Sequence, residues 1–247
     1  MRKSTFQHLT ATVFVCLVLL QSCKDDAYLA DRLPVSNQSF IEEFDTVSVS
    51  LSRGWTIINA NTPKDPVLST LVWQQAGDVI PWFNAFSSNG TYTGFIGASA
   101  NTSGVLLPVN VIPVVSNWLI SPLITMQNGD KISFYTRTRF FDAQNDYSNR
   151  LQLRVTYSES FDVGAGNEPG AFTGLLLDIN PAYENQRRAN PSPIAFPADW
   201  TRFEATITGL NQPVNGRFAF RYYISDAIAY GWGIGLDKVE YRSVSGK

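Results

Sequence analysis

Residues 130–138 read DKISFYTRT, and their alternation decides the fold class. Ile132, Phe134 and Thr136 fall on one side of an extended chain, with Lys131, Ser133, Tyr135 and Arg137 on the other. Successive strand side chains point to opposite faces, so such a stretch is a strand with one face on a core. Residues 150–157 repeat the pattern, setting Leu151, Leu153 and Val155 against Gln152, Arg154 and Thr156. Residues 200–207 set Phe203, Ala205 and Ile207 against Arg202, Glu204 and Thr206, and residues 217–224 set Phe218, Phe220 and Tyr222 against Ala219, Arg221 and Tyr223. Gly, Pro, Asn and Asp separate these runs, and no convincing amphipathic helix interrupts them. The pattern predicts an all-β domain of two antiparallel sheets, each covered on one side.

Three further stretches refine this reading. Residues 117–122, NWLISP, are an apolar strand closed by a proline that cannot continue a ladder. Residues 231–241, GWGIGLDKVEY, place glycines opposite Trp232, Ile234 and Leu236. Glycine in a strand marks close approach by other chain segments, so this is a central strand pressed by a loop. Residues 180–199 carry four prolines and read as a long loop, a length that is often functional in a compact domain.

The chain opens with Arg2 and Lys3, followed by the apolar run Ala11–Leu20. That run is about ten residues, whereas a spanning helix takes about 20, so it reads as a targeting peptide. Its end, Leu20-Gln21-Ser22-Cys23, resembles the lipobox of bacterial lipoproteins. The resemblance implies cleavage after Ser22 and lipidation of Cys23. Cys23-Lys24-Asp25-Asp26 is similar to a surface-export signal of lipoproteins in one Gram-negative phylum. The expected organisation is a signal peptide over 1–22, a lipidated tether over 23–37 and a sandwich over 38–247. The expected location is the outer membrane, held by lipid alone and exposed at the cell surface; each buried methylene contributes about 0.8 kcal/mol.

Composition narrows the chemistry. The single histidine, His8, and one of the two cysteines, Cys16, leave with the signal, and Cys23 is the lipid acceptor. A mature chain without histidine or free thiol supports neither Ser-His-Asp nor Cys-His catalysis, nor histidine-ligated metals. Carboxylate-only chemistry is the enzymatic alternative, and the expectation is that the protein is not an enzyme. The formal net charge is −2 and no basic run exceeds Arg187-Arg188, so a nucleic-acid partner is not expected.

Several segments line up in order: SFIEEFD over 39–45, GWT over 54–56, NWLISPL over 117–123, KISFYT over 131–136, WTRFEAT over 200–206 and GLDKVEY over 235–241. Together they resemble choice-of-anchor J or cleaved-adhesin domains, jelly-roll β-sandwiches related to MAM domains. The resemblance covers about residues 38–242 and is weakest over 60–116. It implies a structural calcium between the first and last strands, with Glu42, Glu43, Asp45 and Asp237 as candidate ligands. Calcium takes six to eight oxygens. Lys238 stands where the family has a second aspartate, and the alternative is that Glu42 and Glu43 lie solvated at a sheet edge while Asp237 pairs with Lys or Arg.

The aromatic content carries the functional expectation. Sugar rings present apolar faces, so exposed aromatic planes flanked by Arg, Asn and Asp form a carbohydrate platform. Trp73, Trp82, Phe86 and Tyr92 cluster in the stretch that departs from the family, and Tyr183 and Arg187 lie in the proline-rich loop. These six are the candidate ligand contacts. Trp55, Trp118 and Trp232 are expected in the core. The expected function is non-catalytic binding of a glycan or polysaccharide. The alternative is an adhesin or structural subunit that binds a surface protein.

Overall fold

The computed structural model describes residues 36–64, 68–77, 82–86, 94–100, 110–139, 148–161, 168–184 and 192–244. Residues 37–247 form one compact unit. Residues 1–36 form the other, and of these only Ser36 is described, so Cys23 and the signal lie outside the described residues.

Two antiparallel sheets of six strands each make up the described part of this unit. The first runs β10 (Thr201–Thr206), β7 (Lys131–Thr138), β12 (Gly233–Arg242), β4 (Phe95–Ser99) and β3 (Trp73–Ala76), with β1 (Phe40–Glu42) paired to β12. The second runs β2 (Thr56–Asn59), β5 (Val115–Ile120), β11 (Val214–Ile224), β8 (Leu151–Thr156) and β9 (Gly174–Ile179), with β6 (Ile124–Met126) paired to β11. The architecture is a β-sandwich. A six-residue helix α1 (Val47–Ser52) follows β1, which the strand-dominated pattern did not predict. At that length its stability comes from packing Val47 and Ser50 inward, not from helix propensity.

The alternating strands assemble as their periodicity requires. Ile132, Phe134, Leu151, Leu153, Val155, Phe218, Phe220, Tyr222, Ile224, Leu236 and Tyr241 fill the space between the sheets. Phe218 and Phe220 meet edge-on at 5.8 Å, and Phe220 meets Phe134 in the same way at 4.9 Å. Such pairs add about 0.5–1.5 kcal/mol beyond area burial. β12 is a central strand, flanked by β7 and β4, as its glycine pattern suggested.

The outer faces depart from a one-sided pattern. Ala76, Ala85 and Phe95, with Trp82, Phe83 and Trp200, form an apolar cluster on the outside of the first sheet. Ile58, Ala60, Trp118, Ile120, Phe172 and Ala219 form another outside the second. Trp118 is thus buried, as expected, but on the outer side of its sheet. Period-2 reading identifies which side chains share a face; it does not show that a distant segment returns to cover the other one.

Among the buried polar residues, Asn117 stands out. Asn117 is fully buried, and both its side-chain Oδ1 and Nδ2 lack a hydrogen-bond partner. A buried unmet polar group costs about 1–3 kcal/mol. Asn117→Leu, which keeps the branched heavy-atom skeleton and replaces the two unmet polar atoms by methyl groups, is expected to raise the unfolding free energy by about 1 kcal/mol. Urea denaturation of both proteins, compared at equal m-value, checks this.

Candidate functional site

The outward positions of β11, β8 and β9 carry the densest polar and aromatic arrangement among the described residues. Register fixes it. Arg221 on β11 faces Trp118 on β5 and Gln152 on β8, and Gln152 faces Asp178 on β9. One residue row away, Tyr223 faces Ser116. In the opposite direction Arg154 faces Leu175, just past a bulge after Leu153.

Each group is held by its neighbours. Tyr223 has two guanidinium groups near its ring, Arg221 at 4.1 Å and Arg150 at 5.5 Å from the centroid. Arg150 grips Asp178 through two hydrogen bonds, Nε at 2.8 Å and Nη2 at 2.6 Å. Gln152 Nε2 donates to Asp178 at 3.1 Å. Arg221 donates to Ser116 Oγ at 2.9 Å and to Glu168 at 2.5 Å, and the Trp118 indole N–H donates to the other Glu168 oxygen at 2.8 Å. Tyr183 borders the group, stacked on Tyr230 at 4.5 Å. Its hydroxyl donates to the Tyr223 carbonyl and accepts the Ser225 N–H. The result is a partly open, hydrogen-bonded face on rigid strands, the setting that holds binding groups to small tolerances.

The charges on this face shift one another. Burial pushes Asp178 up, but the hydrogen bonds from Arg150 and Gln152 and the Arg150 charge outweigh it, so its pKa lies below the usual carboxylate value. The same hydrogen bond raises Arg150. Arg154 is lowered, by desolvation first and then by repulsion from Arg221.

The sequence-predicted binding residues are dispersed. Trp73 is a core residue: it is almost fully buried, and its indole N–H donates to the Asn117 carbonyl at 3.0 Å. It cannot stack on a ligand, because the chain places it on the inward side of β3. Trp82 is half-buried, with the Arg139 guanidinium 3.9 Å over its ring and its indole N–H buried without a partner. Phe86 is 37% exposed and stacks on Tyr135 at 3.6 Å, while its N–H donates to Asp237 Oδ2 at 2.8 Å. Tyr183 is the one described candidate beside the face of β11, β8 and β9. Tyr92 and Arg187 lie outside the described residues.

Segment 82–86 covers the first sheet, and glycines make room for it. A Cβ on Gly97 would come within 2.7 Å of the Trp82 ring, and one on Gly235 within 2.9 Å of the Phe83 and Phe95 rings. Phe83 stacks on Phe95 at 4.8 Å, Arg137 lies 4.3 Å over Phe83, and Trp200 donates to the Asn84 carbonyl at 2.8 Å.

The four acids named for calcium do not converge into a cage among the described residues, where no group of three metal-ligating side chains occurs. Asp237 is fully buried, and its oxygens accept the N–H groups of Phe86 and Lys238. Glu42 accepts the Phe44 N–H and meets Arg53 at 3.5 Å. Asp45 is exposed. Glu43 keeps one buried oxygen without a hydrogen-bond partner.

No protein-family model matches the chain, and no curated protein matches it. Solved structures do. The K1 cleaved adhesin domain of Lys-gingipain from Porphyromonas gingivalis W83 matches with a TM-score of 0.51 at 20% identity, over 83% of this chain and 98% of that one. The fold is that of a cleaved adhesin domain. The K3 domain of the same protein matches with a TM-score of 0.48 at 17% identity, over 84% of this chain and 100% of that one. The K2 domain of Lys-gingipain gives 0.48 at 16% identity, over 83% and 98%. The segments that line up along the sequence fall on the strands of this cleaved adhesin fold: FIE on β1, WLI on β5, KISFYT on β7 and GLDKVEY on β12.

Two outcomes follow from this geometry. Gly235→Ala, which drives a methyl group into Phe83 and Phe95, is expected to destabilise the fold by about 1–3 kcal/mol, read as a lowered urea midpoint. Asp178 has a depressed folded pKa, so between that value and about 3.9 the unfolded chain binds more protons. Its stabilisation is complete above about pH 3.9 and is lost as pH falls through the folded value. Asp178→Asn is therefore expected to flatten part of the acid-side fall in stability, measured by thermal melts from pH 6 downward.

Proposed function

We propose that this chain is a non-catalytic binding protein, lipid-anchored through Cys23 at the outer membrane and facing outward, whose ligand is a glycan. The observation that carries the reading is Tyr223, flanked by Arg150 and Arg221 and sharing its outer face with Gln152 and Asp178. A sugar ring stacks its apolar face on an aromatic plane, while its hydroxyls need donors and acceptors fixed around that plane. Tyr223 supplies the plane; Gln152, Asp178, Arg150 and Arg221 supply the polar atoms. The existing hydrogen bonds pre-order these side chains, which lowers the entropy cost of binding. The acids here are engaged by arginines, an arrangement suited to recognition. An adhesin domain from a bacterial protein with the same fold supports attachment as the role.

A second reading rests on a different observation. Ile112 and Ile228 are 58% and 65% exposed on two loops joined by the Ala227 N–H to Pro113 carbonyl bond at 2.8 Å. Neighbouring exposed isoleucines suit a protein partner better than a sugar.

A glycan and polysaccharide array probed with the full-length chain in detergent separates the two. Specific binding that falls at least about tenfold in Tyr223→Ala, with an unchanged melting profile, is expected; that loss is about 1.4 kcal/mol, the scale of one base or ring stack. A blank array, with capture of a surface protein that fails in Ile228→Ser, would replace the glycan with a protein ligand.

A further inference from the structure

We infer that Arg154 anchors a carboxylate subsite on the face of β11, β8 and β9, and that the bound glycan is therefore a uronate-bearing one. This rests on the glycan reading above and goes further by naming the class of sugar.

The cations and anions of the face do not match one to one. Asp178 is held by both nitrogens of Arg150, and Glu168 by Arg221 and the Trp118 indole. Arg154 is left with neutral acceptors. Its Nε donates to the Phe172 carbonyl at 2.9 Å, its Nη1 to Gln152 Oε1 at 3.1 Å and its Nη2 to the Thr173 carbonyl at 3.4 Å. No ion pair to Arg154 occurs among the described residues, although it is part-buried.

Gln152 sharpens the point. Its Oε1 accepts from Arg154 and, at 3.4 Å, from Arg221. A neutral amide thus stands where a carboxylate would neutralise two neighbouring guanidinium groups. Burial first, and then the charge of Arg221, disfavour the Arg154 cation more than the nearby Asp178 and Glu168 favour it, and its pKa is lowered. An incoming anion would offset the repulsion from the neighbouring guanidinium groups. The three existing hydrogen bonds fix the orientation of the fork and leave N–H groups of its five donors unspent.

The surroundings specify more than charge. Leu175, directly across the ladder from Arg154, is half exposed, and Tyr223 lies on the same outer face. A guanidinium beside an apolar side chain, with the Tyr223 ring two residue rows further along the same face, matches an oligosaccharide in which one unit carries its own carboxylate. The planar fork takes both carboxylate oxygens together.

The test uses isothermal titration of the full-length chain with galacturonate oligosaccharides and with the same oligosaccharides after carboxyl reduction. The expected result is a preference of about tenfold or more for the acidic form, the scale of one charge-assisted hydrogen-bond pair. Arg154→Gln is expected to abolish that preference. Arg154→Lys is expected to restore only part of it, since an ammonium lacks the fork; it also serves if the glutamine variant fails to fold. Equal affinity for acidic and reduced forms overturns the inference and leaves the glycan reading standing. Binding confined to sulfated polysaccharides overturns the carboxylate assignment. No binding to any acidic or neutral glycan overturns both.

Discussion

The structure depends on the two-sided commitment of β11. This strand pairs with β5 along one edge, with β8 along the other, and with β6 near its start. Its inward residues, Phe218, Phe220, Tyr222 and Ile224, lie at the centre of the core. A one-residue slip would turn those rings to solvent and drive Arg217, Arg221 and Tyr223 between the sheets, so the core fixes the register. The site on the other side inherits that register. Tyr223 and Arg221 occupy fixed positions because the aromatics behind them cannot move.

The far end of the strand is held by polar groups. Asn149 Oδ1 accepts the Tyr222 hydroxyl at 2.6 Å and the N–H groups of Trp232 and Gly233, while its Nδ2 donates to Thr138. Asn180 Nδ2 donates to the Asn149 carbonyl, and Asn180 Oδ1 accepts the Glu184 N–H. One buried amide therefore links β11, β12 and β7 to the segment that presents Tyr183. Satisfied networks of this kind rigidify a structure, whereas partly satisfied ones weaken it. Asn149 and Asn117 illustrate the two cases within one core.

Much of the fold was legible in the sequence, and less of the site. DKISFYTRT, RLQLRVTY and RFAFRYYI alternate cleanly because each packs one face on a single core, so strands and faces could be read directly. Gln152, Arg154, Arg221 and Tyr223 were already on the outward side of those readings. What the sequence did not show was that β8, β11 and β9 bring them together, since register joins residues far apart in the chain. Among the described residues of 73–92, the aromatic cluster that the sequence shows includes the core residue Trp73 and the covering residues Trp82 and Phe83. Local density of Trp and Phe reports covering as readily as binding, and the glycines at 97 and 235 that admit Trp82 and Phe83 belong to other strands. Read together, a glycine-interrupted central strand and an aromatic insertion signal a covered sheet.

The central claim is that the outer face of β11, β8 and β9, and not the aromatic segment over the opposite sheet, is the binding surface. A crystal structure of the chain with a bound oligosaccharide tests it most directly. The account predicts a sugar ring in van der Waals contact with Tyr223, with its polar groups on the Arg150–Asp178–Gln152 network. A sugar seated instead on Phe86 and Tyr135, with the Tyr223 face empty, would contradict it.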